Sequence, residues 1–361
     1  EISECLVGSE MCIRDRYYSK GCDSEKMFSG LEIAKASDFK RHLNKYDVIH
    51  IDIQWFLANC GNADEVVPFI TKSVLDELRE IYPGTLPAEG VRLPDALSRV
   101  KERTGQKFII IIDEWDVLIR DGEMSETIQD EYINFLRGMF KGTEPTKYIQ
   151  LAYLTGILPI KKEKAQSAVN NLDEFTMLQA FGLAPYIGFT ENEVKDLCKE
   201  YNRDFEKVKK WYDGYLLDGY QVYNPKAVVS LMTKGKFRSY WSETGSYEVV
   251  VPLICMNFDG LKTAIIEMLS GAEVEVNTAS FKNDPAKIQN RDDVITYLIH
   301  LGYLGYNEEN GTAFVPNEEI RQELSTAVRN SHWNEMITFQ QESRKLLMAT
   351  LTKDEKNGEK Q

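Results

Sequence analysis

No run of apolar residues in this chain approaches the ~20 needed to cross a bilayer, so nothing in it reads as a membrane segment. Cysteine is scarce and scattered: Cys5, Cys12, Cys22, Cys60, Cys198 and Cys255 include no Cys-x-x-Cys pair. That spacing excludes a zinc ribbon or a thioredoxin-like centre and predicts reduced thiols in a cytoplasmic protein. Four histidines occur, His42, His50, His300 and His332, and none has metal-ligand spacing. Positive charge is also short. Lys and Arg number 43 against 57 Asp and Glu, a formal net charge of −14. This disfavours broad non-specific nucleic-acid binding and leaves a local basic patch open. One absence matters more than the others. No Gly-x-x-x-x-Gly-Lys-Ser/Thr loop is found, because the Gly235-Lys236 pair is followed by Phe237 and lacks the upstream glycine.

What is present is an ordinary globular composition, 43% apolar and 28% charged over 361 residues, with room for two cores. The most informative stretch is 108–116, Phe-Ile-Ile-Ile-Ile-Asp-Glu-Trp-Asp. A run of β-branched residues without alternation predicts a strand buried on both faces, as at the centre of a parallel sheet. Ligands of such sheets sit beyond the carboxyl ends of the strands. There the chain places Asp113 and Glu114, in the manner of a Walker B element, with one carboxylate for Mg²⁺ and the next for an attacking water.

The flanking pattern fits that placement. Residues 47–54 read as a strand with Asp52 near its end, and 63–82 carry apolar residues at helical spacing until Pro83-Gly84. A second amphipathic helix over 93–104 closes at Gly105. Ser125 is placed to cap a helix over 126–140, and 148–156 read as another apolar strand ending at Thr155-Gly156. A short strand is expected over 184–189, and Thr190–Glu193 spells a capping box. Strand and helix in this alternation predict parallel crossovers and a doubly wound α/β sheet. Beyond about 190 the chain turns helical and aromatic-rich. Helix 291–303, hairpin 304–316 and helix 317–328 follow in winged-helix order.

On this spacing Asp113 is the candidate metal ligand and Glu114 the candidate water-polarising residue. Thr155 is the candidate sensor of a terminal phosphate, with Gly156 permitting close backbone approach. Trp115 is read as packing and Asp116 as a loop cap. Lys161, Lys162 and Lys164 follow the second strand and lie in reach of phosphates, and Arg120 and Arg137 are the candidate arginine fingers.

Several motifs in fixed order carry a resemblance: 112–116 (Ile-Asp-Glu-Trp-Asp), Leu154-Thr155-Gly156, Asn170-Asn171-Leu172 and Gly188-Phe189-Thr190-Glu191. Trp211-Tyr212-Asp213-Gly214-Tyr215, Val222-Tyr223-Asn224-Pro225 and Tyr240-Trp241 continue the series. Together they resemble the bacterial AAA-ATPase-like domain proteins, which often carry a PD-(D/E)xK-type nuclease domain at their carboxyl end. The resemblance runs from about residue 20 to 329. It implies a P-loop NTPase-like sheet, ATP and Mg²⁺ as ligands, a fused nuclease domain and a homo-oligomer as partners. No membrane partner is implied, and nucleic acid stays open. Two departures stand out: no phosphate loop precedes the first strand here, and no Asp…Glu-x-Lys pattern on paired strands occurs before residue 361.

Residues 1–16 lack both helical and strand periodicity and are not a signal peptide. They resemble the conceptual translation of a transposase mosaic-end sequencing adapter, Glu-Met-Cys-Ile-Arg-Asp in this frame. The expectation is therefore that 1–16 stand outside the fold and that the natural amino terminus, with a Gly-rich phosphate loop, lies upstream. The expected organisation is a partial AAA-ATPase-like α/β domain over 17–190, a helical lid or winged-helix-like domain over 191–335, and a linker or disordered tail over 336–361. The expected function is that of an ATPase fragment, inactive alone. The competing reading is a non-catalytic interaction or DNA-binding regulator built on the winged-helix-like segment.

Overall fold

Residues 108–112 are each 1% exposed or less, which makes β2 (Phe108–Asp113) the buried centre of the first sheet. Burying each isoleucine contributes roughly 1.5–3 kcal/mol. The computed structural model describes residues 10–120, 124–159, 171–241 and 247–330. In it β1 (Asp47–Asp52), β2 and β3 (Ile149–Leu154) run parallel in the order β1-β2-β3. The register sets Asp52 opposite Asp113 and Ile112 opposite Leu154, so three strand ends finish on one edge. The chain divides into two compact units, Glu1–Glu174 with Asn283–Ala286, and Phe175–Lys282 with Lys287–Gln361.

In the first unit the crossovers use α2 (Ile53–Asn59), α3 (Val66–Ile81) and α4 (Leu93–Thr104), then α5 (Val117–Arg120) and α6 (Glu126–Phe140). The local signals act as read: Gly105 takes the left-handed conformation after α4, and the Ser125 hydroxyl accepts the Ile128 N–H at 3.4 Å. Apolar faces of these helices pack with Phe108, Ile110 and Ile112. Ile109 and Ile111, on the other face, meet Tyr18, Tyr46, Val48 and Tyr153, and α1 (Glu10–Tyr18) lies against β1 and β2. The crossover helices thus share one face, where a doubly wound sheet would divide them. The reason is topological: strands added in one direction lay their helices on one side, and a switch of side needs a strand added in the other direction.

β3 also departs from its expected burial. Its sequence is apolar, yet Gln150 and Leu151 are exposed, because β3 is the edge of the described sheet. The segment read as adapter contributes Ile13 to a small cluster around Tyr17, Phe28, Phe39 and Leu43.

Among the described residues the second unit holds two antiparallel sheets. β4 (Phe189–Thr190), β6 (Tyr220–Tyr223) and β5 (Tyr215–Leu217) form one, in the order β4-β6-β5. β7 (Val274–Glu275), β9 (Thr312–Phe314) and β8 (Gly305–Asn307) form the other. Its helices are α7 (Glu191–Glu200), α8 (Phe205–Tyr212), α9 (Pro225–Lys234), α10 (Tyr247–Ile254), α11 (Leu261–Ser270), α12 (Arg291–His300) and α13 (Glu318–Asn330). The strand expected over 184–189 is mostly a 3-10 turn, Ala184–Tyr186, with Pro185 in its first turn. The capping box at Thr190 and Glu193 forms in full. Helix, hairpin and helix follow in the expected order as α12, β8–β9 and α13. All of 293–300 is buried, so α12 is enclosed on every side.

Trp-Tyr-Asp-Gly-Tyr turns out to be a clasp. Gly214 has φ 110, and a Cβ there would lie 2.1 Å from the Pro316 carbonyl oxygen, so only glycine passes. The Asp213 carbonyl accepts the Asn317 side-chain amide at 2.8 Å, and the Tyr215 hydroxyl donates to the Gly302 carbonyl at 2.7 Å. In Tyr-Asn-Pro, Asn224 caps α9 by accepting the Ala227 N–H at 3.2 Å, and Pro225 opens the helix.

Candidate functional site at the carboxyl edge of the parallel sheet

Three strand ends meet at this edge, and side chains at the ends of β2 and β3 bond to one another. The Thr155 hydroxyl donates to Asp113 Oδ1 at 2.5 Å, and the Glu114 N–H reaches the same oxygen at 3.1 Å. The backbone ties the strand ends together as well: the Thr155 N–H donates to the Ile112 carbonyl and the Trp115 N–H to the Thr155 carbonyl, both at 2.9 Å. Asp113 and Thr155, 42 residues apart in sequence, are therefore direct partners. A hydroxyl has one proton to give. With that proton committed to Asp113, Thr155 has none left to donate to a phosphate in this arrangement.

Glu114 follows the strand with φ 52, the left-handed region that costs a non-glycine residue about 1 kcal/mol or more. Its carboxylate bonds the Arg120 guanidinium. Burial pushes the Glu114 carboxyl above its usual range, Arg120 pulls it down, and Asp116 and Asp113 add to the rise. Arg120 reaches from the end of α5 and lies 3.2 Å from Asp116 Oδ2 through Nε, as an ion pair without the alignment of a hydrogen bond.

Asp116 is fully buried. Its Oδ2 accepts the N–H groups of Ile157 at 3.2 Å and Leu158 at 2.8 Å, holding the loop after β3. Trp115 is 3% exposed and packs in the core. A Cβ on Gly156 would fall 2.5 Å from Asp116 Oδ1 and 2.6 Å from Trp115 Cδ1, which is why the strand ends in glycine. Asp52, opposite Asp113, is occupied as the cap of α2, accepting the Trp55 N–H at 2.9 Å.

The remaining candidates lie elsewhere. Arg137, on α6, bonds Asn134. Lys161, Lys162 and Lys164 lie outside the described residues, as does Asn170. Asn171 ends α6, donating to the carbonyls of Phe140 at 2.9 Å and Gly142 at 2.6 Å. Sequence reading missed the Arg120–Glu114 pair. The only available signal was a basic residue six positions after the acid, a spacing that no regular element makes adjacent.

Residues 11–165 match the family model described as AAA-ATPase-like, a predicted AAA-ATPase. The matched stretch contains all three parallel strands and the cluster around Asp113. An uncharacterized protein encoded in the vnfD 5′ region of Azotobacter chroococcum mcd 1 is 27% identical over 166 residues. That alignment covers 45% of this chain and 32% of the relative, so the match spans about a third of that protein's length. Among solved structures, the ORC2 protein of Aeropyrum pernix, in ADPNP-ADP complexes, aligns with a TM-score of 0.29 and 11% identity over 87% of this chain and 85% of that one. Cdc6p from Pyrobaculum aerophilum aligns with a TM-score of 0.20 and 11% identity, covering 81% and 82%. At such scores neither likeness bears on the fold, which rests on the sheet itself.

Proposed function

We propose that the first unit carries the metal-holding and water-polarising half of an ATP hydrolysis site. The observation behind this reading is the Thr155–Asp113 hydrogen bond beside Glu114, at the carboxyl edge of a parallel sheet in which β3 is the outer strand among the described residues. In this reading a further parallel strand on β3 brings the phosphate-binding loop that 1–361 do not contain.

Asp113 suits Mg²⁺. Its Oδ1 is taken by Thr155 and Glu114, while Oδ2 takes no hydrogen bond among the described residues. No group of three His, Cys, Asp or Glu is poised for a metal among the described residues, so the other ligands would be water and phosphate oxygens. When bound, Mg²⁺ supplies charge neutralisation between phosphate oxygens. Thr155 orients Asp113 through its hydroxyl. Glu114 orients and polarises the attacking water once its carboxylate leaves Arg120, and the upward push from burial makes it a better proton acceptor.

Calorimetry tests the half-site reading directly. The 361-residue chain should bind Mg-ATP weakly; a dissociation constant below about 1 μM would overturn the reading. In a protein that includes a phosphate loop, Glu114→Gln should keep ATP binding and lose turnover. Unchanged hydrolysis would remove Glu114 from the mechanism.

A further inference from the structure

The second unit holds a carboxylate whose surroundings nothing above uses. Glu319, on the first turn of α13, is 1% exposed. Its Oε1 accepts two backbone N–H groups, from Tyr240 at 2.6 Å and Trp241 at 3.1 Å. Its other oxygen has no hydrogen bond among the described residues, and Glu319 lines an open pocket of about 60 Å³. Asn224, Lys226, Ala227, Tyr240 and Trp241 line it with Glu319 among the described residues. Asn224, Tyr240 and Trp241 belong to the Tyr-Asn-Pro and Tyr-Trp motifs, which the ATPase reading leaves without a role, and Lys226 and Ala227 follow the first of them directly.

The pocket carries charge of both signs. Lys226 makes no ion pair among the described residues and no bond to Glu319, although both face the same small space. Lys226 is also the second residue of α9, a ten-residue helix whose amino end favours a negative group. Pro225 has no N–H, Asn224 caps that of Ala227, and Val228 donates to the Asn224 carbonyl, so the Lys226 N–H is the one left to offer. Opposite stands a wall held in place. A Cβ on Gly302 would touch the Trp241 ring at 2.8 Å, and Tyr303 packs edge-on to Trp241 at 5.6 Å. The Tyr240 ring is flanked by Lys234 and Arg238 at 5.1 and 5.2 Å.

A lone cation would meet Lys226, and a lone anion would meet Glu319. A small molecule with both charges a few ångströms apart meets neither objection. We propose that this pocket binds a free α-amino acid, its ammonium on the open oxygen of Glu319 and its carboxylate on Lys226 and the N-terminus of α9. Burial raises the Glu319 carboxyl to about 7, with Glu323 adding to the rise, so an arriving ammonium also restores a counter-charge that the fold withholds.

The test is calorimetric titration of the whole chain at pH 7.5 with glycine, alanine and leucine, and with methylamine and acetate as single-charge probes. The expected result is saturable binding of at least one amino acid, with both single-charge probes at least about tenfold weaker. Glu319→Gln and Lys226→Met should each weaken amino-acid binding about tenfold or more while circular dichroism and Tm show a retained fold. Glu319→Gln keeps an oxygen for the two backbone N–H groups, and Lys226 lies at the pocket rim, so neither change is expected to unfold the chain. No saturable binding of any of the three amino acids up to about 10 mM would overturn the proposal, as would binding that both variants leave unchanged. These outcomes do not involve ATP and leave the half-site reading untouched.

Discussion

Two buried acids in this chain meet their burial differently. In the first unit Asp116 has two backbone N–H donors and the Arg120 guanidinium. In the second, Glu319 also has two backbone N–H donors but no cation, and its carboxyl rises to about 7. Asp116 uses its partners to hold structure, whereas a buried carboxyl without a cation shifts toward its neutral form or waits for a ligand. The contrast separates a carboxylate that builds a loop from one that lines a pocket.

Removing the paired acid should have the largest effect. Asp116→Ala strands two N–H groups and part of Arg120, and should destabilise the first unit by about 3–5 kcal/mol in denaturant unfolding. A loss within roughly 1 kcal/mol would show that the pairing is not what holds the loop.

The unpaired acid should instead declare itself through pH. Glu319 is raised from 4.5 to about 7, so the folded state holds its proton more tightly, and that contribution is lost as pH rises from 4.5 through 7. His300 in the same unit runs the other way. It is lowered by burial from 6.5 to about 4, so its contribution is present above 6.5 and lost as pH falls toward 4. Each is worth up to roughly 3 kcal/mol, and across pH 4.5–6.5 they oppose one another. Relative to wild type, Glu319→Gln should gain stability as pH rises through 4.5–7, and His300→Gln as it falls through 6.5–4. Parallel profiles for all three proteins would refute the assignment.

Gly156→Ala should cost about 1–3 kcal/mol, read as a lower Tm, because the new methyl meets Trp115 and Asp116. The smallest effect concerns Arg120. Arg120→Met should raise the Glu114 carboxyl further, visible in a carbon-13 carboxyl titration, since the guanidinium now pulls it down. A fall would mean that the pair does not govern Glu114.

Much of the fold was legible because its causes are local. The Ile run, Gly105 after α4, Ser125 before α6 and the capping box at Thr190 each act within a few residues. Asp113 and Thr155 were legible as strand ends, since parallel strands deliver their last residues to one edge. Their bond to each other was not, because the role expected for Thr155 pointed its hydroxyl at a phosphate. β3 reads as buried from its composition but is exposed, since burial depends on which strands stand beside it. The enclosed α12 shows the same limit: its sequence does not say what covers it.

By itself the sequence determined where the three parallel strands and helices α4 and α6 lie, that an apolar strand delivers Asp113 and Glu114, and that glycine stands at 156. Those features follow from backbone propensity, alternation and hydrogen bonds of short reach. Only the tertiary structure decided that Arg120 holds Glu114, that the Thr155 proton belongs to Asp113, and that Glu319 meets the backbone of Tyr240 across 79 residues of sequence. Partners so far apart are chosen by how whole elements pack, and no local pattern carries that choice.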